Sequence, residues 1–267
     1  MMSKFDFLTS YTKLAPLQLS IVRSEEAWMM SRVSMPEPIL DIGCGDGVFG
    51  QVLFKGKKWA VEAGIDVDEI SMSLAPKGSV YKKVIKVDAS QLPFPDKSFM
   101  TVMANESLEH ILEIDQVLRQ IARVLKDKGR LVFLVPTVFL DDFWLTSAPL
   151  KAIGLYPLAR FFHHWRNKIF THRHLLPVQV WEEKLNKAGL KLKSHQYLSS
   201  RKVYFISELL WPLRLPVRTL SRLLRQRILY PRFIDFAIIK FLKNFLKEDN
   251  SNKKVKGPTM IIIAQKK

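Results

Sequence analysis

Three acidic residues in the first hundred positions stand at the ends of apolar runs, each followed by a turn. They are Asp41 in Ile39-Leu-Asp-Ile-Gly-Cys-Gly-Asp-Gly-Val-Phe-Gly50, Asp66 in Gly-Ile-Asp-Val-Asp, and Asp88 in Lys-Val-Asp-Ala-Ser. The first reads as a strand entering a glycine-rich turn that opens a helix, where backbone can pass close to a ligand. Gly45, Gly47 and Gly50 also satisfy the G-x-G-x-x-G spacing of dinucleotide sites. A carboxylate at Asp41 would oppose a pyrophosphate but suits a ligand bearing an ammonium and a sulfonium. At the C-terminal edge of a parallel sheet, Asp66 can take a ribose diol and Asp88 can receive an adenine amino group. Three strand ends would then address one nucleoside.

The elements that must position them are legible as alternating apolar runs and helical patterns, the signature of βαβ units. Strands are expected at Ile39 to Ile42, Trp59 to Asp66, Val80 to Asp88, Phe99 to Asn105 and Arg130 to Val135. Ile114, Val117, Leu118, Ile121, Val124 and Leu125 recur at helical spacing, and Lys126 to Gly129 closes that crossover helix. Further on, a helix is expected from Pro177 to Ala188, then a strand near Leu190 to Tyr197 and a last buried strand at Thr259 to Ala264. The expected organisation is a single domain. It comprises a cofactor-binding core over 1–140, a lid or substrate-side insertion over 141–188, a basic amphipathic insertion over 199–256 and the final strand within 257–267.

The 267 residues, 48% hydrophobic and 25% charged, exclude disordered, collagen-like and coiled-coil classes. No secretory leader and no span of membrane length is read. The lone cysteine, Cys44, fits a reducing cytoplasm. Beside no base, it reads as packing rather than as a nucleophile. Charge is distributed unevenly. Residues 1–140 hold 17 basic and 17 acidic side chains, whereas 141–267 hold 25 and 8, so the second half is the part that would face an anionic partner.

The ordered set of motifs resembles the class I S-adenosylmethionine-dependent methyltransferases. The similarity continues through Gln91-Leu-Pro-Phe-Pro-Asp-Lys-Ser-Phe99, Asn105-Glu-Ser-Leu-Glu-His-Ile111 and Val124-Leu-Lys-Asp-Lys-Gly-Arg-Leu-Val132. The resemblance implies an α/β, Rossmann-like, seven-stranded and mostly parallel sheet in the order 3-2-1-4-5-7-6, with helices on both faces and a helical insertion before the last strand. It implies S-adenosylmethionine as cofactor. The methionine moiety would lie on Asp41, Gly43 and Gly45 beside Cys44, the ribose on Asp66 beside Val67, the adenine on Asp88 and Ala89, and Asn105 would border the methyl group. Where family members often carry Gly-Gly before the fifth strand, this chain has Lys128-Gly129, a departure expected to matter little.

Glu106, Glu109 and His110 would share one face of a helical turn, a spacing similar to the metal-binding set of some quinone-biosynthesis and small-RNA methyltransferases. His172 or His174 could complete that set. His110, His172 and His174 are also the candidate general bases. His163, His164, His172 and His174 lack a partner cysteine or regular ligand spacing and read as lid or substrate contacts. Two basic amphipathic helices are expected at Leu215 to Leu229 and Phe233 to Leu246, with Trp211 and Tyr230 suited to an interfacial depth. They could lie on an anionic membrane surface, pack on the core or grip RNA; the apolar second helix argues against a phosphate-binding role alone. The expected function is methylation, chiefly of oxygen, in a small, lipid-like or glycosylated acceptor at the cytoplasmic face of a membrane. An RNA methyltransferase and a non-catalytic cofactor-binding protein are the alternatives.

Overall fold

The structure, a computed structural model, describes residues 2–74, 80–198, 201–210, 219–221, 223–224, 239–240 and 256–267. Two helices open the chain, α1 (Lys4–Thr12) and α2 (Leu17–Met30). The alternating part follows: β1 (Ile39–Ile42), α3 (Val48–Leu53), β2 (Ala63–Asp66), α4 (Glu69–Ser73), β3 (Val84–Lys86), β4 (Phe99–Asn105), α5 (Ile114–Val124) and β5 (Leu125–Pro136). Then come α6 (Ala148–Ala152), α7 (Tyr156–Phe170), α8 (Val178–Lys187), β6 (Leu190–Leu198), α9 (Arg201–Leu209) and β7 (Thr259–Lys266). The sheet order is β3-β2-β1-β4-β5-β7-β6, as the resemblance implies. The first five strands pair in parallel, and β7 runs antiparallel to both β5 and β6.

The apolar runs are continuous because the sheet is covered on both sides. Along β5, Leu131, Phe133 and Val135 join one core with Val117, Leu118 and Ile121 of α5 and Trp181 and Leu185 of α8. Val132 and Leu134 point the other way, into a core shared with Met29, Met30, Ile39 and Met103. The period of two therefore divides one run between two cores.

Strand ends moved where neighbours are missing. β2 starts at Ala63 rather than Trp59, since Val61 makes only an isolated bridge to Tyr81 and Trp59 is exposed in a left-handed conformation, φ 58°. β3 shortens to Val84–Lys86 because it is an edge strand with β2 as its single partner. The N-terminal helices, for which the sequence offered no expectation, are anchored deeply. Phe7 and Tyr11 of α1 pack with Ala27 of α2 and Val48 and Val52 of α3, and Leu8 and Ile21 pack against Val203 of α9. The expected lid or substrate-side insertion over 141–188 contains α6, α7 and α8. The helices expected at 215–229 and 233–246, with Trp211 and Tyr230, lie almost wholly outside the described residues. No helix among the described residues is long and apolar enough to cross a membrane.

The Lys128-Gly129 departure has a local cost. Lys128 takes φ 62°, a region only glycine enters without steric penalty, while Gly129 is needed for space: a Cβ there would lie 2.8 Å from the Lys126 carbonyl. Lys128→Gly should therefore stabilise the fold by about 0.5–1 kcal/mol, measured as a rise in the urea midpoint at constant slope. A lowered midpoint would show that the lysine side chain contributes more than the backbone strain costs.

Candidate active site

β1 ends in a turn whose glycines adopt left-handed conformations, with φ 73° at Gly43 and 52° at Gly45. A Cβ at Gly43 would stand 2.3 Å from the Cβ of Ser107, so glycine lets this turn close on the loop after β4. The Ser107 hydroxyl then donates to the Ile42 carbonyl at 2.8 Å. The next strand end is tied to the same turn. Asp66 accepts from the Gly45 N–H at 2.7 Å and the Asp68 N–H at 2.8 Å, which leaves its carboxylate further acceptor sites.

A cleft of about 390 Å³ opens here, of a size normal for small-molecule sites. Of the expected cofactor residues, Gly43, Asp66, Val67, Asp88 and Ala89 line it. Asp88 also accepts from the Ser90 N–H at 2.7 Å, so it caps the short 3-10 turn behind it. Asp41, Cys44, Gly45 and Asn105 do not line the cleft. Asp41 lies buried behind the turn, where it accepts from the Tyr81 hydroxyl at 2.6 Å; burial pushes its pKa up to about 7. Burial likewise pushes the Cys44 thiol far up, which suits packing and not nucleophilic chemistry.

A second cavity of about 560 Å³ adjoins the first, and both are lined by Glu106 and His110. Its other walls include Arg23 of α2, Trp144, Arg166 and Ile169 of α7, His172 and Tyr204 of α9. Helical spacing predicts Glu106, Glu109 and His110 on one face, but only Leu108–His110 form a 3-10 turn, and Glu106 precedes it at φ 43°. Glu106 instead meets Arg23 at 2.8 Å, and Arg23 also meets Glu26 at 2.6 Å. Burial pushes Glu26 up to about 8, whereas the Arg23 charge and a hydrogen bond with Glu26 hold Glu106 below the usual carboxylate range against the cost of its own burial. Asn105 donates to Glu26 at 3.3 Å and so borders this cluster rather than the cleft.

Glu109, His110 and His172 do converge. Their ligand atoms lie within 4.8 Å of one another, and both carboxylate oxygens of the fully buried Glu109 have no hydrogen-bond partner among the described residues. His110 Nδ1 lies 3.2 Å from the Thr171 carbonyl, which can only accept, so Nδ1 is the donor in that contact, while Nε2 lies 3.6 Å from Oε1 of Glu109. His172 stacks on His110 with ring centroids 5.5 Å apart, and burial lowers its pKa to about 4. His174 is elsewhere: its Nε2 donates to the Ile111 carbonyl at 2.8 Å.

A methyltransferase-domain family model matches residues 40–133, the stretch from β1 into β5 that builds the cleft. Over that stretch the chain carries a methyltransferase domain. The 27-O-demethylrifamycin SV methyltransferase of Amycolatopsis mediterranei is 37% identical over 117 residues, 42% of this chain and 40% of that one. The demethylmenaquinone methyltransferase of Thermotoga maritima is 27% identical over 184 residues, 66% of this chain and 80% of that one. The chain spans about half or less of the length of the Amycolatopsis protein and of most curated relatives it matches. Among solved structures, a S-adenosylmethionine-dependent methyltransferase of Thermotoga maritima, described as a possible histamine N-methyltransferase, superposes with a TM-score of 0.57 over 99% of this chain and 98% of that one. At 15% identity it shares the fold.

The cofactor of such domains is S-adenosylmethionine, and the methyltransferase cleft fits it: a carboxylate with spare acceptor sites at Asp66, a second at Asp88, and apolar walls from Val67, Ala89, Ile111 and Leu112. Arg23, Glu26 and Tyr204 were not foreseen. The available signal was a pair of charges three apart, Arg23 and Glu26, among the apolar residues of a helix-length run.

Asp41 generates a stability prediction. Its folded pKa lies above the ordinary 3.8, so between about pH 4 and 7 the native state keeps a proton the unfolded chain has lost, and stability falls as pH rises across that window. From pH 5 to pH 8 the wild type should lose about 2–3 kcal/mol more than Asp41→Asn, by urea titration of both. Parallel pH profiles for the two proteins would contradict this.

Proposed function

We propose that the protein transfers the methyl group of S-adenosylmethionine to an oxygen of a small, lipid-like or glycosylated acceptor. The observation that carries this reading is the pair of adjoining cavities that share Glu106 and His110: one fits a nucleoside, and the other, whose mainly polar walls include an apolar part from Leu19, Val22, Leu140, Trp144 and Ile169, fits a small acceptor. The ribose is assigned to Asp66, the adenine to Asp88 and Ala89, and the methionine end to the Gly43–Gly45 turn, with Asp41 supporting that turn from behind. S-adenosylmethionine supplies a methyl group already activated on a sulfonium, so most of the protein's contribution is placement of the acceptor. The relatives' names, two of which denote methylation of small organic molecules, support that acceptor class.

Among the three candidate bases, His110 is the one that lines both cavities, its Nδ1 engaged by the Thr171 carbonyl. His172 is a weak base that supports the His110 ring by stacking, and His174 is an anchor on the Ile111 carbonyl. Asp66→Ala should weaken S-adenosylmethionine binding by about 10–100-fold, as loss of charged hydrogen bonds does, in an equilibrium titration. His110→Ala should lower kcat by about 100-fold or more while cofactor affinity changes far less. Unchanged affinity in the first variant, or unchanged kcat in the second, would refute the respective assignment.

A second reading rests on the orphaned carboxylate of Glu109 beside His110 and His172. A divalent cation on these three residues would lower the pKa of an acceptor hydroxyl, and His110 would then be a ligand rather than a base. In that case Mg²⁺ or Mn²⁺ raises the Tm, EDTA abolishes turnover, and Glu109→Gln removes the rise in Tm. A Tm and a turnover indifferent to both additions would exclude this reading.

A further inference from the structure

The helix α7 presents an apolar stripe to the outside. Leu158, Phe161, Trp165 and Ile169 recur at spacings of three and four, fall on one side of the helix, and are between 40% and 62% exposed. The turn that enters the helix carries two more exposed apolar residues, Ile153 and Leu155. Isolated exposed apolar residues are ordinary, but six within seventeen positions, four of them on one side of the helix, form a surface of the kind that marks an interaction site. The opposite side of the helix is already occupied. Ala159 and Arg166 are buried there, Arg166 pairing with Glu208 of α9 and lying 4.4 Å from the Trp144 ring centre.

Charge identifies what the patch faces. The helix has no acidic residue, and beside the apolar stripe runs a second one of Arg160, His164 and Lys168, all exposed, with exposed Arg173 just beyond. Large aromatics and aliphatics flanked by cations suit the boundary between acyl chains and anionic headgroups. At 15 residues the helix is about 22 Å long, too short to cross a bilayer but sufficient to lie along one. The stripe also leads to the reaction site, because Ile169 belongs to it and lines the second cavity together with Thr171 and His172.

We propose that the outer face of α7, with the turn before it, docks on a bilayer surface rich in anionic phospholipid and brings the mouth of the second cavity to that surface. Docking requires no catalysis, so the proposal stands or falls apart from the methyl-transfer reading. It differs from an interfacial role for the 199–256 segment in the residues that make contact.

The test is co-sedimentation of the full chain with vesicles of phosphatidylcholine alone and of phosphatidylcholine with phosphatidylglycerol, at low and high salt. Phe161→Ser/Trp165→Ser is the main variant and Arg160→Gln/Lys168→Gln the second; neither pair lies in the catalytic or cofactor machinery. Wild type is expected to bind the anionic vesicles and to retain part of that binding at high salt. The aromatic variant should partition about tenfold or more weakly at an unchanged Tm, and the basic variant should lose the preference for anionic lipid. Equal binding by wild type and the aromatic variant overturns the proposal. So does a wild-type dimer that the aromatic variant abolishes, which would make the face a self-interface, and so does salt-sensitive RNA binding with no vesicle binding.

Discussion

Arg23 is enclosed between the carboxyl groups of Glu26 and Glu106, 2.6 and 2.8 Å away, and this contact joins an N-terminal helix to the end of the central strand β4. Burying one cation with two carboxylates would leave a net charge in a poorly solvated place, which is expensive. The arrangement avoids that cost by proton retention: burial and the neighbouring Glu106 charge push Glu26 up to about 8, so near neutrality one carboxylate balances one guanidinium. Removing the arginine would leave two acids facing each other with no cation. The N-terminal helices are thus joined to the end of β4 by this ion pair and packed against α3 and α9 through Phe7, Tyr11 and Ile21.

The rest of the site follows from where this contact puts Glu106. Its left-handed backbone turns the chain so that Ser107 meets Gly43 and the 3-10 turn carries Glu109 and His110 inward. The two cavities then meet at Glu106 and His110. The loop after α7 is fixed to the same turn, since the Glu109 carbonyl accepts from the N–H groups of Arg173 and His174 at 2.9 and 3.1 Å. His172 is thereby placed over His110. One ion-paired cluster and one shared carbonyl suffice to bring residues from α2, β4 and the 170s loop to a single junction.

The sheet was legible because a two-faced parallel strand has little freedom in composition: Leu131 to Val135 must be apolar at every position. The acids at β2 and β3 were legible because the strand ends of such a sheet form its ligand edge. Side-chain direction was harder to read. Asp41 is in the same kind of position as Asp66, yet it turns to Tyr81, a residue 40 positions away whose approach no local pattern signals. The Glu106, Glu109 and His110 spacing assumed a regular helix, and the left-handed Glu106, whose side chain pairs with Arg23 of a distant helix, breaks it. The helix α7 was missed because its buried face carries Arg166 and His163, so its apolar residues lie outside and hide the usual period.

The central claim is the proposal that the cleft at the ends of β1 to β4 presents an activated methyl group to a small, lipid-like or glycosylated acceptor. It is tested most directly by incubating the protein with methyl-labelled S-adenosylmethionine and a total extract of the cells that make it, then partitioning the label between organic solvent and water. The account predicts RNase-stable label, in the organic phase for a lipid-like acceptor and in small aqueous molecules for a glycosylated one. Label confined to RNase-sensitive material in the aqueous phase, or no transfer at all, would contradict it.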